Sequence, residues 1–143
     1  MVHNHRLRIW VLSLLLLGSM GCVTEHVPPP PPRVNLVQNL GVARAQQLLK
    51  ETLLRSINPQ VAEVKTTDEV LEYSYREVIV VATGRILNNQ VAFINAAESV
   101  VHGNNLVQIF TPSKIVIAQF IFASNEDATT FAELIRSFHH YRK

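Results

Sequence analysis

Cysteine is nearly absent from this chain: there is one, Cys22, in 143 residues. A single cysteine excludes an intrachain disulfide framework. Glycine is also scarce, at five residues, and Gly84 and Gly103 stand alone. No glycine-rich loop exists to cradle a phosphate or a dinucleotide. The apolar N-terminal run, Ile9 to Leu17, has only nine residues. As a helix it covers about 14 Å, against about 30 Å for a bilayer core. Charge of one sign is missing as well. The chain carries 13 Lys+Arg against 11 Asp+Glu, and two of the 13, Arg6 and Arg8, precede the apolar run. Without those two the balance is 11 against 11. The basic patch or stripe that marks a nucleic-acid binder is not there.

A positive n-region, a short apolar h-region and the small residues Gly18, Ser19 and Gly21 make up a secretory signal. The stretch Ser19-Met20-Gly21-Cys22 resembles a bacterial lipobox. Gly21 and Cys22 match that pattern, whereas Ser19 and Met20 depart from its preferred Leu and Ala or Ser. The resemblance implies cleavage between Gly21 and Cys22 and a lipid on the Cys22 thiol. Residues 1–21 are then the signal peptide. Lipidation gives an otherwise unpaired cysteine a purpose and removes it from thiol chemistry. In a Gram-negative envelope, Val23 in place of Asp implies delivery to the outer membrane, facing the periplasm.

Five consecutive prolines, Pro28 to Pro32, follow. They lack backbone N–H donors and adopt polyproline II at about 3.1 Å per residue. Residues 22–34 read as an anchor with a stiff spacer that reaches at most about 40 Å. A docking motif for a proline-binding groove is the alternative.

The domain proper spans 35–143. Apolar residues at helical spacing predict one amphipathic helix over 38–56, ended by Asn58-Pro59. Its Leu48/Leu49 and Leu53/Leu54 doublets form a wide apolar face, for packing in the domain or for an oligomer contact. From 60 to 123 the period shortens to that of strands. Val61–Thr66, the alternating Val70–Tyr75, Glu77–Thr83, the Val91–Asn95 alternation, Ser99–His102, Leu106–Phe110 and Ile115–Phe122 read as strands. Asn88-Asn89, Gly103-Asn104-Asn105 and Thr111-Pro112-Ser113 read as turns. The apolar run of the last strand predicts burial on both faces. Ser124, with two acids after it, caps a helix over 125–141. Ala128, Phe131, Ile135 and Phe138 form its apolar stripe, and Phe120 and Phe122 are expected beneath it.

A six- or seven-stranded antiparallel meander closed by a C-terminal amphipathic helix is an α+β plan. It resembles the pleckstrin-homology-like (PH-like) barrel, most closely from Phe120 to Arg136, where Ser124, Ala128 and Phe131 carry the pattern Ser-x-x-x-Ala-x-x-Phe. The likeness covers about 60–141 and leaves the first helix as an addition. The rival architecture is an open antiparallel sheet with two helices on one face. The phosphoinositide site of some PH domains does not come with the resemblance, because the corresponding loop, Thr66-Thr67-Asp68-Glu69, is acidic.

Reactive constellations are few. His139 and His140 are adjacent, so on a helix they point about 100° apart and cannot share a metal. His102 has no partner His or Cys nearby in sequence. No nucleophile-elbow pattern is present, so no catalytic residue, metal ligand or cofactor is assigned. Tyr73, Tyr75, Phe93 and Phe110 are the candidate partner or ligand surface. These features describe a non-enzymatic, membrane-anchored envelope lipoprotein. Its domain binds a protein partner or supports an assembly. The alternative is a carrier or sensor of a hydrophobic ligand, with an apolar pocket lined by Tyr73, Phe93 and Phe110.

Overall fold

The computed structural model describes residues 35–77 and 85–141. The signal, Cys22, the proline run and most of the expected strand Glu77–Thr83 lie outside the described residues; Glu77 itself ends a strand.

The first expected helix is two helices. α1 (Leu36–Leu40) and α2 (Val42–Leu53) meet at Gly41. Gly41 adopts φ 80, ψ 153, a conformation closed to residues with a Cβ. Its N–H closes α1 on the Val37 carbonyl, and its carbonyl opens α2 by accepting from Ala45. Asn35 caps α1 through its side-chain oxygen, which accepts from the Gln38 N–H. Of the leucine doublets, Leu49 and Leu53 are buried, Leu48 is half-buried and Leu54 is exposed. The helix also stops short of residue 56. Ser56–Asn58 forms β1, because Ser56 pairs across to Phe122.

Six more strands follow: β2 (Val61–Thr66), β3 (Val70–Glu77), β4 (Arg85–Ala92), β5 (Glu98–Val101), β6 (Leu106–Phe110) and β7 (Val116–Phe122). All pairings are antiparallel. They form two open sheets, one of four strands in the order β1-β7-β6-β5 and one of three in the order β2-β3-β4. The expected closed barrel does not form among the described residues, and neither does a single open sheet. The break lies at Pro59. Continued pairing of β1 with β7 would set Gln60 against Gln119. Instead the Gln60 carbonyl accepts from the Arg76 N–H (3.4 Å), so the chain has already crossed to the other sheet. The Ser56 hydroxyl donates to the Pro59 carbonyl (2.8 Å) and pins the crossing.

Two further expectations change. Asn88-Asn89 is not a turn: both sit inside β4, paired with Ser74 and Tyr73. The Asn89 side-chain amide donates to the Tyr73 hydroxyl (3.0 Å), a cross-strand bond that holds the asparagine in extended backbone. Val91 belongs to the strand, but Phe93–Asn95 turns into a short 3₁₀ segment. The last strand buries one face only. Ala118, Phe120 and Phe122 point inward, while Val116 and Gln119 are exposed.

α3 (Asn125–Tyr141) is the expected terminal helix. Ser124 Oγ accepts from the Asp127 N–H (3.1 Å), and Asp127 pairs with Arg55, which follows α2. Ala128, Phe131, Ile135 and Phe138 are all fully buried. Phe131 meets Phe120 edge-on at 5.1 Å and Phe122 at 5.3 Å, and Phe138 stacks on Phe93 at 4.6 Å. Phe120 in turn meets Tyr73 of the three-stranded sheet at 5.1 Å. One connected core therefore joins both sheets and α3. The Ser137 hydroxyl accepts the Leu36 N–H (3.2 Å) and ties α1 to the same helix.

Gly41 and Gly103 have equal space around them and differ in backbone: only Gly41 has a positive φ. Gly41→Ala is expected to lower unfolding free energy by about 1–3 kcal/mol. Gly103→Ala is expected to stay within about 0.5 kcal/mol of the parent. Urea denaturation of the two variants side by side measures this, and equal losses would refute the assignment of the break to Gly41.

Candidate functional site

The two sheets splay apart where the chain crosses at Pro59, leaving a groove of about 300 Å³. Pro59, Tyr73, Tyr75 and Asn89 line one side, and Val116–Gln119 of β7 line the other. Strand alternation explains the membership. Tyr73 and Tyr75 are two apart on β3 and share the inner face with Leu71. Cross-strand pairing puts Asn89 beside Tyr73 on β4. The tyrosine rings lie 6.0 Å apart at an interplanar angle of 29°. Tyr73 is 6% exposed, whereas Tyr75 is only half-buried and opens to the groove. Burial raises the Tyr73 phenol to about 12, with the Asn89 hydrogen bond opposing the shift. The phenol therefore stays neutral near neutral pH, and its oxygen anchors the Asn89 amide.

The structure brings Tyr73 and Tyr75 together and keeps Phe93 and Phe110 elsewhere. Phe93 is fully buried against Phe138. Phe110 is half-buried at the end of β6, opposite Glu98 and Val116. Tyr73, Phe93 and Phe110 thus share no pocket wall: one touches Phe120, one touches Phe138, and one lies at a strand end. The groove's other members, Pro59, Asn89 and Val116–Gln119, were not legible as site residues. Pro59 was visible only as a helix breaker. Asn89 was visible only as a turn former.

A second concavity, about 460 Å³, crosses the outer face of the three-stranded sheet. Glu63, Lys65, Glu72, Ser74, Asn88 and Gln90 lie on it. Lys65 pairs with Glu63 at 3.4 Å, and both side chains are well exposed. Such a pair contributes little and is screened by salt.

Several of the other polar groups among the described residues that could carry chemistry have structural partners. Ser99 Oγ donates to the Ala132 carbonyl (2.6 Å) and fastens α3 to β5. His139 is buried with Nδ1 2.8 Å from the Phe93 carbonyl, which holds the 3₁₀ segment to α3. His102 Nε2 lies 2.7 Å from Gln108 Oε1. Lys114 reaches the Glu98 carboxylate. Among the described residues, no three His, Cys, Asp or Glu side chains gather closely enough to hold a metal ion. No helix among them is long and apolar enough to cross a membrane.

Comparison with protein families, curated proteins and solved structures finds no match for this chain. The sequence and the geometry together therefore carry the functional reading. The geometry offers an uncharged aromatic groove beside a strand edge and a packed core behind it.

The raised Tyr73 pKa has a stability consequence. The neutral phenol is favoured in the folded state, so its stabilisation is intact below the ordinary tyrosine value near 10. It is lost as pH rises from about 10 through about 12. Tyr73→Phe is expected to flatten the fall in stability across that window. Denaturant unfolding at several alkaline pH values, with tyrosinate absorbance as a monitor, checks this. An unchanged slope in Tyr73→Phe would refute it.

Proposed function

We propose that this chain is a non-enzymatic lipoprotein of the bacterial envelope, anchored through Cys22, whose domain is a protein-interaction module. The observation that carries the reading is the order of parts: a signal-like segment, one cysteine, five prolines, then a domain with its own core. The lipid holds the protein at a membrane, most simply the outer membrane facing the periplasm. The proline run lifts the domain clear of the headgroups. The three-plus-four strand arrangement with a terminal helix supports kinship in layout with PH-like domains, opened rather than closed. Such a layout presents sheet edges and loops to partners, and the function lies in the site carried by the scaffold.

Protein binding is favoured over hydrophobic-ligand carriage by the state of the core. Phe93, Phe120, Phe122, Phe131 and Phe138 are fully buried and in ring contact with one another or with Tyr73. The aromatic residues that would line a ligand pocket are instead used to pack helix against sheet. The groove that remains is an open cleft with a strand edge for a wall, which suits a polypeptide.

Metabolic labelling with a fatty acid tests the anchor. Wild type is expected to incorporate label, and Cys22→Ser is expected to lose it and to leave the membrane fraction. Equal labelling of the two would overturn the anchor. Crosslinking in intact envelopes tests the interaction. A reproducible protein adduct is expected, and its absence together with a co-purifying apolar small molecule would favour a carrier.

A further inference from the structure

The open edge of β7 specifies the chemistry of what can bind the groove. β6 and β7 pair Val107 with Phe120 and Ile109 with Ala118. Next in register, the Phe122 N–H donates to the Asn105 carbonyl (3.1 Å). In an antiparallel ladder, hydrogen-bonded and non-bonded pairs alternate. The backbone groups of Phe122, Phe120 and Ala118 therefore face β6, and those of Ile121 and Gln119 face away. β1 meets Ile121 through Asn58 and goes no further. At Gln119 the chain has already crossed to the other sheet, so among the described residues no strand covers the outward N–H and C=O there. Ile117 is the extra residue of a bulge between the Ala118 and Val116 pairings. Such a bulge turns an edge and re-aims its side chains.

We propose that Val116–Gln119 of β7 accepts an extended segment of a partner protein as an added strand, with an uncharged side chain seated against Tyr75 and Pro59. This deepens the protein-interaction reading and rests on it. Three observations select the occupant. The outward backbone groups of Gln119 require a partner offering its own N–H and C=O, which an extended peptide does at every second residue. Among the described residues, the groove lining (Pro59, Tyr73, Tyr75, Asn89 and Val116–Gln119) carries no charge, so a charged side chain would be desolvated there without a counter-charge from them. The uncovered stretch is short. A contact of four strand residues falls well below the roughly 1,200–2,000 Å² that a stable protein–protein interface buries. A second folded copy needs more surface than this, and a short linear segment does not. Val116, at the end of the groove wall, is 37% exposed, and its neighbour Ile115 is 62% exposed.

A phage-displayed library of linear peptides, each about ten residues long and able to span one strand, tests this against the detergent-solubilised full chain. Enriched peptides are expected to alternate apolar and polar residues. Gln119→Pro removes the outward N–H and is expected to weaken them roughly five- to tenfold. Ile117→Lys places a charge at the groove and is expected to weaken them at least as much. Gln90→Lys, on the outer face of β4, is expected to bind as the parent does. Circular dichroism verifies that each variant is folded; should Gln119→Pro unfold, Ile117→Lys and Val116→Lys decide. No enrichment over the Ile117→Lys chain, or peptides that bind all variants equally, would overturn the proposal. So would a dimer in sedimentation that Ile117→Lys converts to monomer, since the occupant would then be a second copy. Envelope crosslinks that persist in Ile117→Lys would remove this site and leave the interaction reading standing.

Discussion

The inward face of α3 is the contact on which the rest of the domain depends. Neither sheet is closed, and each has an inner face that must be covered. Phe131 covers Phe120 and Phe122, and Phe138 covers Phe93 at the turn between the sheets. Each fully buried phenylalanine contributes about 1.5–3 kcal/mol by burial. Each aromatic pair adds about 0.5–1.5 kcal/mol. The polar contacts of α3 are positional in comparison. Ser99 to Ala132, Leu36 to Ser137 and His139 to Phe93 set where the helix lies along the sheets and where the first helices join it. α3 thus holds the four-stranded sheet, the 3₁₀ segment and the two first helices together, while Tyr73 against Phe120 links the three-stranded sheet to that unit.

The crossing at Pro59 is the second constraint, and it shapes the surface. A strand that stayed with β7 would have sealed that edge. The chain instead leaves after Asn58, and Gln60 is bound by Arg76 of β3. One chain cannot pair both sheets with the same residues, so among the described residues linking them leaves a length of edge uncovered. That length faces two tyrosines, one locked by Asn89 and the other half-exposed. The groove is a by-product of how the sheets are connected, and the described residues that line it are uncharged.

Much of the fold was legible in local pattern. β2, β6 and α3 were read with their observed bounds, because alternation, turn residues and a capping serine are encoded within a few positions. Phe120 and Phe122 were rightly placed under α3, since the stripe on the helix has to find an apolar strand. Other readings failed where a distant partner outweighed local preference. Asn88-Asn89 is a turn by propensity, yet Asn89 is drawn into β4 by the Tyr73 hydroxyl across the sheet. The long first helix breaks because Gly41 takes a positive φ. Phe93 and Phe110 looked like one surface. Phe93 is consumed by Phe138, and Phe110 ends a strand elsewhere.

The amino-acid order alone determined the short apolar N-terminal run, the lone cysteine with its proline run, the charge balance, and the succession of helix, strands and helix. All of these depend on neighbours in sequence. The number of sheets, the sheet switch at Pro59, the pairing of Tyr73 with Asn89 and the uncovered backbone of Gln119 were decided only in the tertiary structure. The physical reason is pairing. A strand's residues state which face they bury, but not which strand lies beside them, and an edge exists only once every other strand has taken its place.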